Sequence, residues 1–84
     1  IVSPGEGQVS LLIPGVAAEQ QEVPLEAEAE EDRELTWFVD GAFLATARAD
    51  ERVWWAPSVG THEILVSDDR GLSARRTLVV RERR

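Results

Sequence analysis

Leu35-Thr36-Trp37-Phe38-Val39-Asp40-Gly41 constrains this chain more than any other stretch. Aromatic and β-branched residues fit a pleated surface, and the run closes on Asp-Gly, a dipeptide that turns one strand back along its neighbour. It predicts a central strand entering a hairpin. Side chains alternate along a strand, so Leu35, Trp37 and Val39 share one face and Thr36, Phe38 and Asp40 the other. Trp37 is the expected core anchor, and the remaining strands should add to this one.

The flanking segments read the same way. Ile1-Val2-Ser3-Pro4 is a short extended piece stopped by Pro4, and Gly5-Glu6-Gly7 leads into an edge strand over 9–13. Pro14-Gly15 ends that strand, and 16–21 is a polar, small-residue connection without a period. Val23, Leu25, Ala27 and Ala29 then alternate with Glu26, Glu28 and Glu30, which predicts a strand with one face inward and one in water. The competing reading is a helix capped at Pro24, since Ala and Glu are good helix formers. After the charged loop at 31–34 and the organising strand, 42–48 returns with Phe43, Ala45 and Ala47 at one parity. In Arg52-Val53-Trp54-Trp55-Ala56-Pro57 the adjacent tryptophans must face opposite ways, so one of them is partly exposed. His62, Ile64 and Val66 alternate with Glu63 and Leu65. Asp68-Asp69-Arg70-Gly71 makes an acid-started turn into a last strand over 72–81. About seven strands with turns every 8–12 residues predict an all-β, immunoglobulin-like antiparallel β-sandwich.

Totals narrow the function. At 84 residues there is room for one domain with a single modest core. No run approaches 18 apolar residues, and no basic stretch followed by an apolar one opens the chain, so neither a membrane span nor a signal peptide is expected within it. A start at Ile1 suggests a piece of a longer precursor. The absence of Cys removes disulfides and thiolate metal sites. A net charge of −7 argues against nucleic acid, whose phosphates need clustered cations. The charge is uneven: acids dominate 1–34, while six Arg lie in 70–84, so the two ends are expected to attract weakly across neighbouring strands.

No residue set spells a reaction. His62 is the single histidine, and a general base needs a nucleophile within reach and a group to orient it, while zinc needs three or four ligands. A packed strand histidine is the expected role. The Asp68–Gly71 run lacks the alternating oxygen ligands of a calcium loop, so turn chemistry is expected there. Glu26, Glu28 and Glu30 form a solubilising face rather than a catalytic cleft. An exposed tryptophan near Phe38 or Phe43 would make an apolar patch of the kind that marks an interface, with core filling as the alternative. No metal, cofactor or catalytic residue is expected.

The spacing Trp55-x-Pro57-x-x-Gly60-x-His62, followed by a strand and an Asp…Gly71 turn, adds a resemblance. With Ser3-Pro4 ahead of Gly7 and Trp37-Phe38-Val39-Asp40-Gly41 in the middle, the chain resembles the C-terminal domain of penicillin-binding protein 1C-type synthases, bifunctional cell-wall enzymes of bacteria. The match spans nearly the whole chain, with 16–21 fitting poorly. The resemblance implies a monomeric, immunoglobulin-like accessory domain in the periplasm, at the end of an inner-membrane-anchored synthase. Penicilloyl-serine chemistry needs Ser-x-x-Lys and Lys-Thr-Gly elements, and this chain has no Lys and no Asn, so no catalytic residue carries over. The resemblance assigns Trp55 to the core with Trp37, Val39, Ile64 and Val66, and leaves Trp54 as the more exposed tryptophan. Phe38, Trp54, Arg75 and Arg76 are the expected interaction surface, facing the transpeptidase domain of the parent chain or another envelope protein. The alternative is direct binding of peptidoglycan or another carbohydrate, with sugar rings on Trp54 and Arg81, Arg83 and Arg84 near anionic peptide stems. Neither nucleic acid nor membrane is an expected partner of the domain itself.

Overall fold

A computed structural model describes residues 1–29 and 33–83. The organising stretch forms β3 (Glu34–Val39), and the hairpin returns as β4 (Ala42–Arg48). Around them lie β1 (Val9–Leu12), β2 (Val23–Leu25), β5 (Val53–Trp55), β6 (Gly60–Asp68) and β7 (Ser73–Glu82), with a 3₁₀ turn at Ala18–Gln20. The strands make two sheets, one ordered β1-β7-β6-β3-β4 and the other β2-β5. Pairing is antiparallel except at the edge, where β1 runs parallel to β7 with Val9 opposite Val79 and Leu11 opposite Arg81. The expected immunoglobulin-like sandwich is the fold.

Alternation builds the core as the sequence predicts. Leu35, Trp37 and Val39 of β3 meet Ile64 and Val66 of β6 and Leu78 and Val80 of β7 on one inner face. Val23 and Leu25 of β2 with Val53 and Trp55 of β5 close it from the other sheet. Trp37 is 1 % exposed, and burying an indole of that size removes more apolar surface from water than any other single residue of this core. Of the described segment Glu22–Ala29, none is helical.

Two boundaries differ from expectation. The strand predicted over 23–29 ends at Leu25, with Ser3 bridging Glu26 just beyond; Ala27 still packs against the core, but Ala29 is exposed. Alternation therefore outlasts pairing: small Ala side chains bury too little to hold an unpaired strand. Phe43 does not share a face with Ala45 and Ala47. Trp37 pairs with Ala45 but Phe38 pairs with Phe43, so Leu44 is an extra residue in a β-bulge. One extra residue reverses the parity beyond it. Phe43 thus points outward, 65 % exposed, while Leu44, Ala45 and Ala47 pack inward.

The expected attraction between an acidic N-terminal part and a basic C-terminal part takes another form. Among the described residues Arg33–Asp69, Arg52–Glu26 and Arg75–Glu63 are the arginine ion pairs, none of which joins an acid of 1–34 to an Arg of 70–83. Instead Arg76 reaches from the inner face of β7 and donates to the carbonyls of Pro4 (2.8 Å) and Ile1 (2.9 Å). That guanidinium ties the first residues to the sandwich, while Val2 and Ser3 donate to the Glu26 carbonyl.

Candidate interaction surfaces

The two sequence signatures, Trp37…Asp40-Gly41 and Trp55-x-Pro57-x-x-Gly60-x-His62, meet at one end of the sandwich. Asp40 (φ 52°) and Gly41 (φ 80°) both take the left-handed region, as a two-residue hairpin turn of the mirror-image type demands. The Asp40 carboxylate then faces β6. Its Oδ1 accepts the Glu63 N–H at 2.9 Å, and its Oδ2 lies 2.6 Å from His62 Nδ1. On the opposite side of the ring, His62 Nε2 lies 2.7 Å from the Ser58 carbonyl oxygen. Both ring nitrogens face acceptors, an arrangement that favours the doubly protonated imidazolium.

The titration of the pair agrees. Burial works to lower the His62 pKa, but the Asp40 hydrogen bond, the Ser58 carbonyl and the Asp40 charge outweigh it and leave the value raised. The hydrogen bond from His62, with the Glu63 N–H, holds the Asp40 carboxyl below its ordinary value. Trp55 packs edge-on to the imidazole, ring centres 4.8 Å apart. Sequence reading gave His62 no partners; their approach spans 22 positions of chain and exists only in the folded state.

This Asp–His–Ser grouping is a staple, not a base poised for catalysis. Ser58 Oγ lies 3.5 Å from Nε2, farther than its own carbonyl, and the Nε2 proton is committed to that carbonyl. A nucleophilic hydroxyl needs an imidazole nitrogen free to accept its proton. The Asp68 turn is likewise spent on the backbone. Its Oδ1 accepts the N–H groups of Arg70 and Leu72 at 2.9 Å each, and Gly71 closes the turn at φ 85°. Desolvation opposes ionisation there, yet the two N–H groups with Arg33 and Arg70 keep the Asp68 carboxyl below its ordinary value. Among the described residues no three His, Asp or Glu side chains gather as metal ligands do.

Of the residues expected to make contacts, the structure brings two together. Phe38 on β3 lies beside Leu65 on β6, and Leu65 beside Arg75 on β7. Phe43 packs edge-to-face on Phe38 at 6.3 Å, so a row Phe43–Phe38–Leu65–Arg75 crosses four strands on the open side of the five-stranded sheet. Phe43 joins Phe38 rather than an exposed tryptophan, and its facing away from Ala45 and Ala47 has no signature in the alternation because a bulge leaves none. Arg76 lies on the inward face of β7, bound to the N-terminal carbonyls, and does not join that row. Trp54 stands on the opposite side of the sandwich, 51 % exposed and paired with Pro24 across the two-stranded sheet, while its neighbour Trp55 is buried. Beside it runs a groove lined by Val2, Glu26, Glu28, Asp50, Glu51 and Arg52. Glu30 and Arg84 lie outside the described residues, and Arg81 and Arg83 are exposed at the end of β7 and just past it.

Comparison with known proteins places this geometry. No curated protein matches the chain. Among solved structures, a fibronectin(III)-like module of CbhA from Clostridium thermocellum superposes with a TM-score of 0.70 at 19 % identity, covering 99 % of this chain and 95 % of that one. SGBP-B of the mixed-linkage glucan utilization locus of Bacteroides ovatus, solved with a mixed-linkage heptasaccharide, superposes with a TM-score of 0.59 at 20 % identity over 95 % of this chain and 22 % of that one. At such identities both likenesses concern the fold alone. The sequence model of the penicillin-binding protein C-terminus family matches residues 1–80, and those residues include both signatures that meet at the Asp40–His62 staple. The chain therefore belongs to the penicillin-binding protein C-terminus family.

Proposed function

We propose that this chain is a non-catalytic accessory module of a penicillin-binding protein 1C-like peptidoglycan synthase, working by contact in the periplasm. Its partner is the transpeptidase domain of its own parent chain or another envelope protein. The row Phe43–Phe38–Leu65–Arg75 carries the reading. An aromatic pair with an exposed edge, flanked by an Arg, is the composition that dominates binding hot spots. A sheet face that served only to cover a core would place polar side chains there. In a pull-down with the catalytic portion of such a synthase, Phe43→Ala should weaken capture about tenfold, a change of about 1.4 kcal/mol. Unchanged capture by Phe43→Ala and Phe38→Ala together would remove the reading.

Direct binding of peptidoglycan is the second reading, favoured by the exposure of Trp54. Sugar rings stack on an exposed indole, and a larger protein that shares this fold over 22 % of its length was solved with a bound oligosaccharide. Sedimentation with purified sacculi separates the two: a domain that stays in the supernatant at low salt leaves protein contact alone standing.

A further inference from the structure

Trp54 is exposed by strand geometry rather than by chance. Adjacent strand residues face opposite ways, and Trp55 takes the inward place against His62. What surrounds Trp54 is one-sided in charge. Four carboxylates, Glu26, Glu28, Asp50 and Glu51, line the groove against the single cation Arg52. Arg52 is already paired with Glu26, and one oxygen of Glu51 accepts the Arg48 N–H at 3.1 Å. Among the described residues Glu28 and Asp50 have no cationic partner. The groove thus pairs an apolar, electron-rich ring with unspent negative charge.

We infer that this face docks a basic segment of a partner polypeptide, an Arg or Lys side chain lying along the Trp54 ring with its charged head among Glu28, Asp50 and Glu51. Charge complementarity picks the occupant. A cation gains from the ring face and from the carboxylates together, and Arg adds a planar group that stacks and reaches a carboxylate through two N–H bonds. A neutral sugar can donate hydroxyls to these carboxylates but gains no charge–charge attraction from them, and the anionic stems of peptidoglycan are repelled. The inference rests on the reading of the chain as a contact module and supplies the chemistry of one partner segment.

Indole Nε1–H resonances of the three tryptophans report on it in a ¹H–¹⁵N titration of the chain. The probes are a hexapeptide with two Arg, the same peptide with Glu in their place, and chitotetraose. The Arg peptide should shift the Trp54 resonance saturably and leave those of buried Trp37 and Trp55 in place, with affinity falling as salt is raised. Followed by the backbone amides of residues 50–55, Trp54→Ala should bind about tenfold more weakly and Glu28→Gln/Asp50→Asn about threefold to tenfold more weakly. Glu19→Gln/Glu22→Gln, in another part of the surface, should bind as the parent does. Chitotetraose moving Trp54 while the Arg peptide does not, equal binding by Glu28→Gln/Asp50→Asn, or silence with all three probes overturns the inference. Unchanged capture of the catalytic portion by Phe43→Ala and Phe38→Ala together bears on the contact reading alone, so the two readings fail separately.

Discussion

At the scale of the residue, His62 concentrates most of what is unusual in this chain. It is 8 % exposed, and it joins Asp40 of the β3–β4 turn to Ser58 of the β5–β6 connection through opposite sides of one ring. A histidine whose folded pKa is raised contributes its full stabilisation below its unfolded value, near 6.5, and loses it as pH rises through the folded value. Asp40, with its pKa lowered, contributes above its ordinary 3.8 and loses that contribution as pH falls. The staple is therefore strongest in mildly acid solution. The melting temperature should fall as pH is raised from 6 towards 9, and His62→Gln should flatten that slope while lowering stability at pH 6 by about 1–3 kcal/mol. A slope that persists in His62→Gln would assign the pH dependence elsewhere. Asp40 is about half exposed, so its partner's burial, not its own, sets the scale of the effect.

At the scale of the element, the first segment and β7 depend on each other. Arg76 closes two hydrogen bonds to the carbonyls of Ile1 and Pro4, and Val2 and Ser3 between them bond the backbone of Glu26 just past β2. Arg76→Met keeps the aliphatic stem against the sheet and removes the donors. It should cost about 1–3 kcal/mol, and hydrogen exchange should accelerate at the amides of Val2, Ser3 and Glu26 well before those of β6. Exchange that rises uniformly would mean that Arg76 supports the whole sandwich instead. The hairpin carries a second lesson. Asp40-Gly41 announced the turn, but the bulge at Leu44 decides that Phe43 joins the outer row, and nothing in Ala-Phe-Leu-Ala marks which residue is the extra one.

At the scale of the whole molecule, one core unites both sheets. Trp37 and Trp55 are inward-facing members of the same cluster, contributed by different sheets. A single core of this size unfolds as a unit. Denaturation followed by tryptophan fluorescence and by far-ultraviolet circular dichroism should therefore superimpose, and sedimentation should give the mass of one chain. Separate transitions would show that β2 and β5 come away before the five-stranded sheet does. The outer rows lie on opposite sides of that core, Phe38 and Phe43 on one and Trp54 on the other, so a partner on each can be held at once.

The class of fold and the centre of the core are legible in the chain alone. Period-two burial pointed to Trp37, Val39, Ile64 and Val66 and required the adjacent tryptophans to part, because these depend only on neighbours along one strand; the family resemblance, not the alternation, put Trp55 rather than Trp54 inside. Tertiary structure alone decided that Asp40 would meet His62, that Arg76 would turn inward to the first residues, and that β1 would pair parallel to β7. Each of those is a meeting of groups far apart in the chain. Local alternation says which face a side chain takes but carries no information about what comes to stand opposite it.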